Sequence, residues 1–286
     1  MNNKELVESW IKRYAQRITS ESAVPTKDAE EKKDDTKGLA VPADFKEAFF
    51  LERDDFGKVV HEEVLKRYEG INAITIVNYD DNNKVVIGSN PFYVVAANEV
   101  LREKYPDIRT ASQADLERIV KNNILPLKGN YWEDSSLVLR TNDAPNKYLA
   151  EKLYEQFKQQ ALNLEEGTAY VLPLYALSLE KDENSPHKLA FKLSAPVYFK
   201  APILMSESGL YINSDKMDEE GLPTEVYSKP VAGNRQLFTI NSGLSGLCLG
   251  RYLDVDSGSG GLAYSSNFGR VVCVRGEATA PDNNAP

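Results

Sequence analysis

The two cysteines and two histidines of this sequence, Cys248, Cys273, His61 and His187, are the first side chains to weigh for covalent or acid–base chemistry near neutral pH. A thiol needs a base or a cationic setting to become a nucleophile. Neither histidine has a Ser or Cys partner in a recognisable nucleophile elbow. His61 sits in an apolar-patterned helix and His187 in a Ser-Pro-His loop, so both are expected to be structural or solvated. No short paired spacing makes these residues a zinc site. The run from Asp254 to Ser259 has the beginnings of a calcium loop but lacks the bidentate acid that would close it. The glycines Gly258, Gly260 and Gly261 lead into another polar loop rather than from a strand into a helix, so no phosphate cradle forms. Catalysis, cofactors and metals are therefore not expected.

A different chemistry stands out between Leu237 and Gly276. This stretch contains no Lys, Glu, Gln, Met or Trp. Those types make up about a fifth of the chain, and about eight would be expected there. It is filled with Gly, Ser, Asp, Asn, Tyr, Arg and Cys between Leu244, Leu247, Leu249, Leu253, Val255 and Leu262. The apolar residues recur at strand-like spacings and read as a buried scaffold. The residues between them suit recognition, because Tyr gives large rigid contacts and Ser, Gly and Asn give adaptable hydrogen bonds. Tyr252, Tyr264 and Phe268 are the expected anchors. Gly246, Cys248, Gly250, Arg251, Asp254, Asp256, Ser257, Gly258, Ser259, Gly260, Gly261, Ser266 and Asn267 complete the expected ligand-binding set. A left-handed backbone is expected at Gly258, Gly260 or Gly261. Randomising the adenines of an AAC-type Asn codon produces a set that lacks the same five residue types and contains no stop codon.

The elements that must carry this surface can be read in outline. Residues 4–19 form an amphipathic helix pattern with Leu6, Trp10, Ile11, Tyr14 and Ile18 on one face. Residues 21–42 read as a polar flexible linker bracketed by Pro25 and Pro42. A helix is expected over 43–69, a strand over 73–79 returning through a turn to 84–88, and a helix from Pro91 to Lys104. A further helix is expected near Thr110, with Thr110 and Gln113 at capping-box spacing, running to Lys121. Ser136–Arg140 reads as a short strand and Lys147–Leu162 as an amphipathic helix. From Thr168 onward short β segments follow, at 170–174, 189–193, 197–199, 209–212 and 270–275. Residues 277–286 read as a disordered tail.

The hydrophobic–polar weave followed by Phe268-Gly269-Arg270-Val271-Val272 resembles the end of the variable region in diversity-generating retroelement proteins, where the usual order is Gly-Phe-Arg-Val-Val. The run Ile108-Arg109-Thr110-Ala111-Ser112-Gln113-Ala114-Asp115-Leu116-Glu117-Arg118 resembles the entry to the second helix of that fold. Gly88-Ser89-Asn90-Pro91-Phe92-Tyr93 and Asn234-Arg235-Gln236-Leu237-Phe238-Thr239 look most like archaeal members. The resemblance spans 43–276 and implies an α+β domain of the C-type lectin fold, in the variant shared with formylglycine-generating enzymes. It also implies helices packed on short antiparallel β segments and a variable surface at about 244–269. In that family an error-prone copy of a template rewrites adenine-bearing codons, so the implied function is binding of a varying ligand, a protein or a cell-surface group. The calcium and sugar motifs of true lectins are absent, and Cys248 is a residue that a randomised Asn codon can yield. Two alternatives stay open: an enzyme on the same fold using Cys248 or Cys273, and a structural fibre or tail protein.

The bulk numbers fit this reading. The net charge of −9, with no compensating basic stripe, argues against nucleic acid. No window has the length of a membrane-spanning helix and no secretory signal is apparent, so a cytoplasmic location is the default expectation, with surface display by a non-Sec route as the other. Oligomerisation through the N-terminal helix is a further expectation.

Overall fold

The computed structural model describes residues 45–276, apart from 52–54, 81–84, 130, 161–163, 196, 207–209 and 231–233. The expected N-terminal helix, the linker and the C-terminal tail lie outside the described residues. The strands are β1 (Glu47–Phe50), β2 (Asn78–Asp80), β3 (Val85–Ile87), β4 (Ile108–Thr110), β5 (Trp132–Leu139), β6 (Tyr170–Pro173), β7 (Leu177–Lys181) and β8 (Leu189–Leu193). They continue with β9 (Phe199–Lys200), β10 (Leu210–Asn213), β11 (Asn234–Thr239), β12 (Leu244–Leu249), β13 (Val255–Ser257), β14 (Gly269–Arg270) and β15 (Val272–Arg275). The helices are α1 (Phe56–Arg67), α2 (Asn72–Thr75), α3 (Pro91–Lys104), α4 (Gln113–Lys121) and α5 (Lys147–Gln159).

The chain is α+β. Its largest sheet runs β10-β11-β13-β12-β5-β6-β9 and curls into half a barrel, with β14 alongside the start of β5. Most pairs are antiparallel, as expected. Two are parallel, β11 with β13 and β14 with β5, and both sit where the 244–269 segment enters the sheet. A second sheet, β1-β15-β4, brings the first and last described strands together.

α3 is the central helix. Asn90 caps it by accepting from the Tyr93 N–H at 3.0 Å, and Pro91 occupies its first turn, where a missing N–H costs nothing. Residues from Pro91 to Asn98, with Val100 and Leu101, are buried, so the helix is enclosed on most sides. It packs on α1, β5 and β7 within the main apolar cluster. α5 adds Leu149, Leu153 and Phe157 from a single face. A second cluster on the other side of the large sheet joins Val138, Val171, Leu210, Ile212, Leu237, Leu247 and Val255. A third gathers Phe50, Leu116, Ile119, Leu249 and Val272. Burying each such side chain contributes about 1.5–3 kcal/mol.

Three expectations are corrected. The helix over 43–69 is in fact strand β1 followed by α1. Successive strand residues point to opposite faces, and here Phe49 enters the main cluster while Phe50 enters the third. The strand over 73–79 is the short helix α2 followed by β2. Ala73, Ile74 and Val77 are buried while Thr75 and Ile76 face outward, which is helical-turn spacing rather than alternation. The helical cap is Ser112, not Thr110. The Ser112 hydroxyl accepts from the Asp115 N–H, and Asp115 accepts from the Ser112 N–H. Thr110 ends β4, where its N–H and hydroxyl both bond to the Asn98 side chain.

Candidate functional site

The leucine weave forms the floor of the site. On β12, Leu244, Leu247 and Leu249 are buried, and Val255 and Leu262 continue the set. Leu253 is only half-buried, because the hairpin between β12 and β13 lifts it. That hairpin closes through Gly250 N–H to the Asp254 carbonyl at 2.7 Å and Leu253 N–H to the Gly250 carbonyl at 2.8 Å. The register of β12 on β5 shifts between Leu247 and Cys248, where β5 carries one extra residue, Ser135. The Ser135 hydroxyl lies 2.9 Å from the Gln113 side-chain oxygen and 3.1 Å from the Leu247 carbonyl, which fixes the bulge beneath α4.

The three proposed anchors stand out of this floor. Tyr252 is 68% exposed, Tyr264 62% and Phe268 44%. The Arg251 guanidinium lies 3.9 Å from the centre of the Phe268 ring. Tyr264 tilts against Trp132 with ring centres 5.9 Å apart, and the Trp132 backbone N–H donates to the Phe268 carbonyl at 3.1 Å. Residues from β5, the β12–β13 hairpin and the 258–268 loop thus share one surface. Ser259, Gly261 and Asn267 are exposed on it, and Gly246, Cys248, Gly250, Gly258, Gly260 and Ser266 are half-buried.

Some expected contact residues have structural work instead. Ser257 is fully buried, which corrects its assignment to the surface. Its hydroxyl and carbonyl accept from Arg140 at 2.8 and 3.2 Å. The same guanidinium donates to Ser245 Oγ and Thr239 Oγ1, both at 2.9 Å, and to the Leu204 carbonyl at 2.7 Å. Arg140 thereby ties together β11, β12 and β13 with neutral acceptors, and burial lowers its pKa to about 9. Asp254 accepts from the Gln236 N–H and Asp256 from the Gly258 N–H, both at 2.8 Å. The left-handed backbone expected at Gly258, Gly260 or Gly261 is found elsewhere, at Gly243 (φ +67°) and Leu253 (φ +66°). Gly260 is constrained by proximity: an added Cβ would lie 2.8 Å from the Pro145 side chain.

Across β5, β12 and β13 runs a row with two acids that the residue pattern alone does not single out. Asp134 on β5 is directly opposite Cys248 on β12, which is directly opposite Asp256 on β13. Cross-strand partners of this kind point to the same face, and all three are half-buried. Desolvation, and then the charge of Asp256, push the Asp134 carboxyl up to about 7, while the Ser89 hydroxyl beside it pulls the other way. Glu133, one residue earlier and 1% exposed, is pushed well above the carboxylate range by burial and by Asp134. Neither oxygen of Glu133, nor Asp134 Oδ2, nor Trp132 Nε1, has a hydrogen-bond partner. The signal for this row is the run Trp132-Glu133-Asp134-Ser135-Ser136 at the head of a strand that ends in Leu-Val-Leu.

The reactive side chains are held in quiet forms. Burial, followed by Asp134, Asp256 and Glu133, pushes the Cys248 thiol well above its ordinary range. Burial alone pushes the Cys273 thiol up to about 12. Both thiols therefore stay protonated at neutral pH, the unreactive form. His61 is buried against the Tyr93 hydroxyl at 2.8 Å, and burial lowers its pKa to about 4. His187 packs near Phe92, with ring centres 5.2 Å apart. Among the described residues no group of three His, Cys, Asp or Glu side chains is arranged to hold a metal ion, and no helix is long and apolar enough to cross a membrane. A cleft of about 540 Å³ between α4 and residues 214–221 is lined by Glu117, Lys121 and Asp218 and includes no residue of the 244–269 segment. No protein-family model, curated protein or solved structure matches this chain.

Proposed function

We propose that this protein binds a ligand, a protein by preference, through the surface of Tyr252, Tyr264, Phe268 and Arg251, and that it is a variable protein of the diversity-generating retroelement type. The observation that carries the reading is the separation of roles along 244–269. Tyr252, Tyr264 and Phe268 are three of the six large apolar side chains exposed among the described residues, while the interleaved Leu244, Leu247, Leu249, Val255 and Leu262 are buried. Exposed aromatic clusters of this kind mark interaction sites. A surface that changes between copies of a gene needs a floor that does not, and the leucines with Arg140 supply one.

The residue types missing between Leu237 and Gly276 support adenine-directed variation as the source of the surface. The C-type lectin fold of the formylglycine-generating-enzyme variant is the finer reading of the α+β architecture. Its support is the central capped helix, the second helix entered at Ser112, and a curled sheet that carries the C-terminal weave on one face. Sequencing the DNA downstream of the coding region tests the retroelement origin. The expected result is a near-identical repeat with adenines at the codons for the exposed positions, beside a reverse transcriptase gene. Absence of any such repeat would overturn that origin.

A further inference from the structure

The amphipathic pattern of residues 4–19 leaves the stripe of Leu6, Trp10, Ile11, Tyr14 and Ile18 in need of cover, since a helix of that length is marginal in water without tertiary packing. Independently of the binding role proposed above, we infer that the cleft between α4 and residues 214–221 is the docking groove for this N-terminal segment of the same chain.

Three observations lead there. The first is where the chain enters the fold. The Arg118 guanidinium lies 5.7 Å from the centre of the Phe45 ring, and Phe45 and Val120 both pack on the third apolar cluster. Arg118 and Val120 line the cleft, so the segment is tethered at its lip. Residues 20–44 form the tether, and a coil of that length spans about 25–30 Å. Such a tether sets an effective concentration of about millimolar, so even weak docking is populated. The second observation is the cleft itself, about 540 Å³ with firm walls. Gly221 backs so closely onto the start of α4 that an added Cβ would lie 2.7 Å from the Ala114 backbone. The Leu222 N–H donates to the Asp218 carboxylate at 2.7 Å and the Asp218 N–H to the Leu222 carbonyl at 2.8 Å, which fixes the turn. Val120 and Met217 present half-buried edges of the third and second clusters to the cleft, apolar surface that the stripe would cover. A pocket of this size takes one or two large side chains, such as Trp10 and Tyr14 one helical turn apart. The third observation is charge. Glu117 is engaged by the buried Arg235 at 2.8 Å. The remaining lining charges are Asp215, Asp218 and Glu219 against Arg118 and Lys121, an acidic excess. Residues 4–19 carry Lys4, Lys12, Arg13 and Arg17 against Glu5 and Glu8, a basic excess. At helical spacing Arg13 and Arg17 border the stripe, where they would meet the rim.

Fluorescence of the full chain tests the inference, with a bimane label at Ser214→Cys, on the lining of the cleft, read through its quenching by the Trp10 indole. Both native thiols stay protonated, which directs the reagent to the introduced cysteine. Labelled chains should become brighter on Trp10→Phe, which removes the quencher. The same label at the exposed Glu155→Cys on α5 should not respond to Trp10→Phe. Arg13→Glu together with Arg17→Glu reverses the charge excess of the segment and should abolish the quenching at Ser214→Cys. Labelled chains carrying Trp10→Phe should stay bright when incubated with an excess of unlabelled wild-type chain. The inference is overturned if Trp10→Phe leaves the brightness at Ser214→Cys unchanged, if the Glu155→Cys label responds equally, or if the reversed charges leave the quenching intact. Quenching by the unlabelled chains would assign the cleft to the segment of a second copy and overturn docking within one chain.

Discussion

Asp134→Asn should make the protein more stable at pH 8 and leave it unchanged at pH 4. The wild-type carboxyl titrates at about 7 in the folded chain against 3.8 as its ordinary value. The folded state therefore holds this proton more tightly than the unfolded state. Its contribution is fully favourable below 3.8 and is lost as the pH rises through about 7. At about 1.4 kcal/mol for each tenfold in proton affinity, the gap corresponds to about 4 kcal/mol. Water reaching the half-buried side chain screens part of this, which leaves about 2–4 kcal/mol. Burial sets most of the effect, the charge of Asp256 beyond Cys248 adds to it, and the Ser89 hydroxyl from the turn before α3 opposes it. Asn keeps the shape and never ionises. Urea unfolding at a series of pH values from 4 to 8, with the slope against denaturant unchanged, reads the difference directly. Two curves that run parallel across that range, or a variant less stable than the wild type at pH 8, would refute the reasoning.

Arg140→Lys should cost about 2–4 kcal/mol, because an ammonium cannot reach Ser245, Thr239, Ser257 and the Leu204 carbonyl together; an unchanged urea midpoint would show that the clamp contributes nothing. Leu247→Asp should cost more than about 2 kcal/mol, since it places an unpaired charge in the second apolar cluster. Leu253→Asp should cost clearly less, because that side chain is half-buried, and equal losses in thermal unfolding would contradict the assigned floor.

The parts legible in the sequence are those where local signals and tertiary packing agree. α3 announces itself through Asn90 and Pro91, and α5 through the single face of Leu149, Leu153 and Phe157. β12 is legible because Leu247 and Leu249 alternate with the half-buried Gly246 and Cys248, while Leu244 at its start joins the main cluster on the other face. β1 was not, since Phe49 and Phe50 are buried on opposite sides and read equally well as part of a helix. Ser257 resembles its exposed neighbours in type, and only the position of Arg140, distant in the chain, makes it part of the core. The acid row is a conflict between a polar run and a strand, the kind of local inconsistency that collects at functional sites. Its members come together only through the register of β5, β12 and β13.

The central claim is that the binding surface is energetically separate from the fold beneath it. A pooled library of single substitutions across 244–269 in the full chain, sorted for folding by protease resistance, tests it most directly. Changes at Tyr252, Tyr264, Phe268, Ser259 and Asn267 should stay within about ±0.5 kcal/mol of the wild type. Gly246, Gly250 and Gly258 should accept Ala, because an added Cβ finds only ordinary contacts, at 3.4 Å or more. Leu244, Leu247, Leu249, Val255, Leu262, Ser257 and Gly260 should be depleted. If substitutions at the three exposed aromatic residues unfold the protein as often as those at the buried leucines, the segment is ordinary core and the account fails.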